Sequence, residues 1–420
     1  MDMSISNHAP GKSRERPLSG LVLTGFLLCL WLALLWLKVC LEPVHYQTVD
    51  GENYLQLANK IIAGKPLVID GLKNQNGRVF SPFPPGYPAL LCLGIQTGAF
   101  LPPQLVVHGF LFLIISILWW YKRLPLLPLA CWFFTDTALE LACYPWSEWS
   151  FTAVTILLLM VWHRWESAQQ PAMMLVCLGL WLFLFSIRYA GVFFFLFLAI
   201  RVLTRPPAIS IWITFFFPGL IFGLMTAIWF WVELQVFGQI TGGDRYANQD
   251  SAAGLWHSLW TASLDQLLWF KDASGSSRIS FFCGITAQAV MVFWFLVISK
   301  RKPTGESNRV YDDPPFSLLL MQAGLAYLLF MVPVRWYFYF AEWYDFRLLG
   351  PGFLMLLLGV FLRADRIFKP AGRGILFIVF LMAAAFFTLP KASLIMHMQE
   401  KIWLQTKPVF GLIPSKSLHK

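Results

Sequence analysis

The sequence predicts an all-α polytopic membrane protein with about eleven transmembrane helices and a large first extracytoplasmic loop carrying interfacial helices. Two observations predict this class. Of the 420 residues, 58% are hydrophobic and 13% charged, with a mean hydropathy of +0.62, whereas soluble domains carry roughly 25% charged residues. The basic residues, in turn, recur in every second short connection between apolar runs, which is how cytoplasmic loops are marked.

The first apolar run, 20–41, follows Lys12, Arg14 and Arg16. It is too long for the core of a signal peptide and no small-residue cleavage site follows it. It therefore reads as an uncleaved span, with residues 1–19 in the cytoplasm. Further apolar runs near span length lie at 104–121, 124–135, 147–162, 172–187, 190–203, 208–232, 279–298, 317–334, 348–362 and 374–390. With a cytoplasmic N-terminus, the basic turns at Lys122 and Arg123, Arg164, Arg201 and Arg205, Lys300 to Lys302, and Arg363 to Arg373 all face the cytoplasm. The loops 42–103 and 233–278 and the tail 391–420 then lie outside it. No repeat or separate soluble segment is visible, so 20–390 reads as a single transmembrane domain.

Composition also excludes classes of function. The net charge of +10 is scattered between apolar runs, which suits topology and anionic lipid rather than nucleic acid. The seven cysteines lack paired spacing, and His45, His108, His163 and His257 share no ligand spacing. Neither a disulfide framework nor a metal centre is expected. No phosphate-binding glycine loop or nucleophile elbow occurs, and no cofactor is implied.

The first long loop is the most informative segment. Tyr54, Leu57, Ala58, Ile61 and Ile62 recur at helical spacing, with Asn53, Gln56, Asn59 and Lys60 opposite. That pattern predicts an amphipathic helix of about three turns, stopped by Gly64 and Pro66. Asp50 stands at its N-cap position and Glu52 in its first turn, so both acids either serve the helix end or do chemistry. Four prolines between Pro82 and Pro88 then make a stiff turn leading back into apolar sequence. In the second long loop, Trp256, Leu259, Trp260, Leu264, Leu267 and Leu268 predict another interfacial helix, lying over a site or against lipid. Asp244-Arg245-Tyr246 ahead of it could contact an acceptor or a sugar.

An Asp closing the first span, then Tyr54-x-x-x-Ala58-x-x-Ile61-x-x-Gly64, then Pro84-Pro-Gly-Tyr-Pro-Ala-Leu-Leu91, resembles the polyprenyl-phosphate-sugar-dependent glycosyltransferases of the GT-C superfamily. The bacterial relatives of protein O-mannosyltransferases and of the lipid A aminoarabinose transferase are the group it resembles most. Pro145-Trp-Ser-Glu148, Ser186-Ile-Arg-Tyr-Ala-Gly191 and Tyr344-Asp-Phe-Arg-Leu-Leu-Gly-Pro351 are similar to later family elements and keep their order. The chain departs from the pattern in two places. Gly51 parts Asp50 from Glu52 where members often have adjacent acids, and Asp345-Phe346 precede Arg347 where a Tyr is usual. The resemblance thus names no particular sugar or acceptor.

The resemblance implies a GT-C-like fold in a bacterial inner membrane. It implies a polyprenyl-phosphate sugar as donor and a glycan, lipid or protein hydroxyl as acceptor. Asp50 would be the base that takes the acceptor's proton, with Glu52 as a second acid. Some superfamily members use a divalent cation; the group resembled here generally does not. Arg188 and Arg347, at the outer ends of predicted spans, are candidates for gripping the donor phosphate. The bland alternatives are that Arg188 pairs with Glu148, and Arg347 with Asp345 or Glu342. Tyr54, Tyr87, Glu148, Tyr189 and Asp345 complete the candidate set as supporting residues. Two other functions compete: a transporter or flippase for lipid-linked saccharides, and a non-catalytic scaffold. The predicted spans hold essentially no ionisable residue at mid-depth, which weighs against the transporter.

Overall fold

The computed structural model describes residues 19–72, 81–98, 101–122, 124–168, 170–204, 209–238, 248, 250–267, 316–338 and 344–365. Among them the chain is helical throughout, without a strand. The expected spans 279–298 and 374–390, the segment 1–18, Asp244 to Tyr246, Glu342 and the tail 391–420 lie outside the described residues.

The chain begins with α1 (Ser19–Leu41), the single turn α2 (Pro43–Tyr46) and α3 (Val49–Ile62). Next come α4 (Gly86–Gln96), α5 (Pro103–Tyr121), α6 (Leu126–Phe133) and α7 (Asp136–Cys143). They lead to α8 (Ser147–Ala168), α9 (Pro171–Ile187), a 3₁₀ turn (Tyr189–Phe193) and α10 (Phe194–Thr204). The long α11 (Ile209–Phe237), α12 (Ala252–Leu267), α13 (Phe316–Tyr337) and α14 (Phe346–Asp365) complete the described chain.

Five of these helices, α1, α5, α11, α13 and α14, are long and apolar enough to cross a membrane. The expected span 124–135 holds only the eight-residue α6, and the chain turns at its end. Thr135 caps a new helix by accepting from the Ala138 amide at 3.3 Å, and α6 and α7 meet at a 58° bend. The expected spans 172–187 and 190–203 become α9 and the pair of 3₁₀ turn and α10, both apolar but shorter than the five.

The centre of the bundle is α8, which packs against α5, α7, α9, α13 and α14. It is buried on every face from Ser147 to Met160. Two of its buried hydroxyls are satisfied within the helix. The hydroxyls of Thr152 and Thr155 each donate to the carbonyl four residues back at 2.8 Å, which satisfies them without a partner helix.

The amphipathic helix of the first loop is α3, with Tyr54, Leu57 and Ala58 buried and Ile62 exposed. Its cap differs from the sequence expectation. Thr48, in extended conformation, accepts from the Gly51 amide at 3.1 Å, and the same hydroxyl accepts from Trp146 Nε1 at 2.7 Å. Asp50 is therefore the second residue of the helix rather than its cap, and its carboxylate is available elsewhere. The helix lies against Pro145 through Gly51, where a β-carbon would collide with the proline ring. This explains the glycine between the two acids as a packing requirement. Gly51→Ala is expected to lower the melting temperature. Overpacking costs about 1–3 kcal/mol, against at most about 1 kcal/mol of helix propensity gained; thermal unfolding of the purified variant checks this.

A second close approach joins α4 to α9. A β-carbon on Gly86 would stand 2.6 Å from the Ser186 carbonyl, so the proline-rich turn is held against the junction that carries Arg188. The turn after α1 is fixed by Glu140 of α7, which pairs with Lys38 at 3.0 Å and His45 at 3.2 Å. The hydrogen bond to Glu140 raises the His45 pKa above its ordinary value.

The described part of the second long loop is fastened to the end of α13. Asp250 pairs with Arg335 at 2.7 Å, and Asn248 donates to the carbonyls of Tyr337 and Trp336 at 2.9 and 3.0 Å. The helix expected in this loop is present as α12. Leu255, Ala262 and Gln266 are buried against α14, while Trp256 and Trp260 are exposed.

Candidate functional site

Four charged side chains from four separate elements meet at one end of the bundle. Asp50 comes from the first turn of α3 and Glu148 from the first turn of α8. Arg188 sits in extended conformation between α9 and the 3₁₀ turn, and Arg347 in the first turn of α14. Both acids are thus at helix N-termini, where the backbone favours negative charge.

Glu148 is the hub. Its Oε1 accepts from Arg347 Nε at 2.6 Å and also pairs with Arg188. Arg347 reaches past it to pair through Nη2 with Asp50 Oδ2. Glu148 is fully buried, Arg347 and Arg188 nearly so, and the Asp50 side chain keeps 32% of its surface accessible. Charges buried this deeply persist only when paired and hydrogen-bonded. The indole of Trp146 covers one face of Arg347, its ring centre 4.5 Å from the guanidinium carbon. Trp146 is itself held by Thr48 and by parallel stacking on Tyr144 at 3.8 Å.

Of the two alternative partners expected for Arg347, Glu342 lies outside the described residues. Asp345 uses its carboxylate to cap α14, accepting from the amides of Arg347 and Leu348 at 3.0 and 2.9 Å. The Arg347 guanidinium goes to Asp50 and Glu148 instead. The alternative for Arg188, pairing with Glu148, is what the structure contains.

Asp50, Arg188 and Arg347 form the polar floor of a cavity of about 650 Å³. Pro82, Phe83 and Pro84 form one wall, and Phe330, Met331, Val334 and Phe338 of α13 with its flank form another. Phe230 of α11 and Val192 of the 3₁₀ turn add further apolar surface. Tyr54 and Tyr189 also line it. Tyr54 is hydrogen-bonded to Ser147 at 3.1 Å, and burial pushes its phenol pKa up, so it serves as a hydrogen-bonding group at neutral pH.

The other expected residues lie apart. Glu52 is exposed on α3, outside the cavity lining. Tyr87 is buried behind Tyr54, the two rings edge-to-face at 5.0 Å. Glu148 lies beneath the floor as the anchor of both arginines. Sequence reasoning missed the contribution of α11 and α13 to the walls and the part played by Trp146. The spacing Pro145-Trp-Ser-Glu148 carried that second signal, since an aromatic two residues before a buried acid reaches the same cation.

In chemical terms the site offers a half-exposed carboxylate beside two guanidinium groups, at the bottom of an apolar chamber. It suits an amphiphile with an anionic head and an apolar chain. No protein-family model matches the chain, and neither a curated protein nor a solved structure matches it.

Proposed function

We propose that the chain is an integral-membrane glycosyltransferase that moves a sugar from a polyprenyl-phosphate donor to an acceptor hydroxyl on the extracytoplasmic face. The observation that carries this reading is the floor of the cavity. A partly accessible carboxylate and two arginines, from positions up to 297 residues apart, converge beneath walls suited to a prenyl chain.

In this mechanism Arg188 and Arg347 hold the donor phosphate by charge-assisted hydrogen bonds. The acceptor oxygen attacks the anomeric carbon while its proton passes to the Asp50 carboxylate. The bond from that carbon to the phosphate oxygen breaks, and its electron pair leaves with the polyprenyl phosphate. Glu148 is engaged by both arginines and buried below the cavity, and Glu52 lies outside it. A single displacement with inversion therefore accounts for the arrangement without a second carboxylate acting as nucleophile. The reading places the N-terminus in the cytoplasm, the site on the far side of a bacterial plasma membrane, and about eleven spans in the whole chain. The four charges stand at helix ends rather than at mid-span, which favours an enzyme at the membrane surface over a transporter.

Reconstitution tests the proposal. Proteoliposomes given a polyprenyl-phosphate sugar and an envelope extract as acceptor are expected to release free polyprenyl phosphate and label an acceptor. Translocation of the intact donor across the bilayer, without cleavage, would instead identify a flippase.

A further inference from the structure

Two roles assigned to this site conflict in the structure as it stands. Arg347 is to grip the donor phosphate and Asp50 is to accept the acceptor's proton, yet the two are bonded to each other through Nη2 and Oδ2. While they are bonded, Oδ2 is occupied by a donor that it would have to exchange for the acceptor's hydroxyl, and Nη2 is occupied by an oxygen that it would have to exchange for the phosphate's.

Resting on the glycosyltransferase reading, we infer that the Asp50–Arg347 pair is a mask on the base which the donor itself removes, so that donor binds before acceptor. The four charges of the cluster, two positive and two negative, are balanced before substrate arrives. A phosphodiester brings one further negative charge beside Arg347. It competes with Asp50 for Nη2, while the bond from Nε to Glu148 at 2.6 Å and the Trp146 face keep the guanidinium in place. Of the two carboxylate contacts described for Arg347, the one to Asp50 is the one that opens. Asp50 is also the carboxylate best placed to let go, since its side chain is 32% accessible whereas Glu148 is enclosed. Once released, Oδ2 faces the cavity beside the bound donor and receives the hydroxyl proton. The acceptor thus meets an active base only when a sugar is in position to be transferred.

The masked pair makes a counter-intuitive prediction, because it opposes donor binding. The probe is the methyl phosphodiester of the donor's prenol, which carries one constant negative charge and no transferable sugar. Its dissociation constant is measured by calorimetry at fixed pH and salt on wild-type protein, Asp50→Asn, Arg347→Gln and the double variant. Removing the competing carboxylate is expected to tighten probe binding by about fivefold, the scale of one partly exposed ion pair. The gain should vanish in the Arg347→Gln background. Asp50→Ser repeats the comparison with a different side chain. Equal or weaker binding by both Asp50 variants would overturn the mask and leave the proposed activity standing. A wild-type protein that does not bind the probe at all would overturn the activity itself, and the mask with it.

Discussion

Asp50→Asn is expected to yield a folded, membrane-inserted protein whose rate of sugar transfer is reduced by about 10²–10⁴-fold, the usual contribution of a positioned general base. The substitution keeps the shape of the side chain and removes the charge. It leaves the Thr48 cap of α3, the packing of Gly51 on Pro145 and the Glu148 anchor untouched. Stability should therefore change little, since Asp50 is partly accessible and its loss leaves Arg347 paired with Glu148. Initial rates of transfer in proteoliposomes, normalised to folded protein, measure the effect. A rate within a few-fold of wild type would remove Asp50 from the chemistry.

Glu148→Ala should act on stability instead. Both arginines depend on its Oε1, and its removal takes from two largely buried guanidinium groups the carboxylate they share. Breaking a buried pair in this way costs about 3–5 kcal/mol, a large part of the roughly 5–15 kcal/mol by which folded proteins are stable. The expected outcome is a sharp fall in the yield of folded protein and in its melting temperature, whatever substrate is present. Glu148→Asp, which keeps the charge on a shorter stem, should recover part of the loss. A Glu148→Ala variant as stable as wild type would show that the cluster is solvated rather than buried.

Much of this site was legible from residue type and place. Arg188 and Arg347 stood out because ionisable residues at the ends of apolar runs are costly unless used or paired, Asp50 because the resemblance points to it, and the structure brings all three to one cavity. The helix over Tyr54 to Ile62 followed from spacing alone and is present. Its cap did not follow, because Thr48 and Asp50 are both good capping residues two positions apart, and only the contact with Trp146 decides between them. Nor did the partner of Arg347. Asp345 is its neighbour in sequence, but that acid is drawn to the amides of α14, and the guanidinium crosses to residues 199 and 297 positions away. The buried face of α12 was not assigned from sequence, because Leu and Trp satisfy the same periodicity; in the structure Leu255 and Ala262 are buried and Trp256 and Trp260 exposed. The bend between α6 and α7 falls at the end of the expected run, where Thr135 caps a more polar helix that opens on Asp136. The cavity walls from α11 and α13 could not be read at all, since they arise from the packing of helices far apart in the chain.

The most direct measurement is the mass spectrum of glycolipids and envelope glycans from cells lacking the gene, complemented with wild-type protein or with Asp50→Asn. The account predicts that one acceptor differs by the mass of a single sugar between wild-type and null cells, and that Asp50→Asn cells, with the protein inserted at normal level, match the null. An Asp50→Asn strain that restores the wild-type spectrum, or wild-type and null spectra that are identical under conditions of full expression, would contradict it.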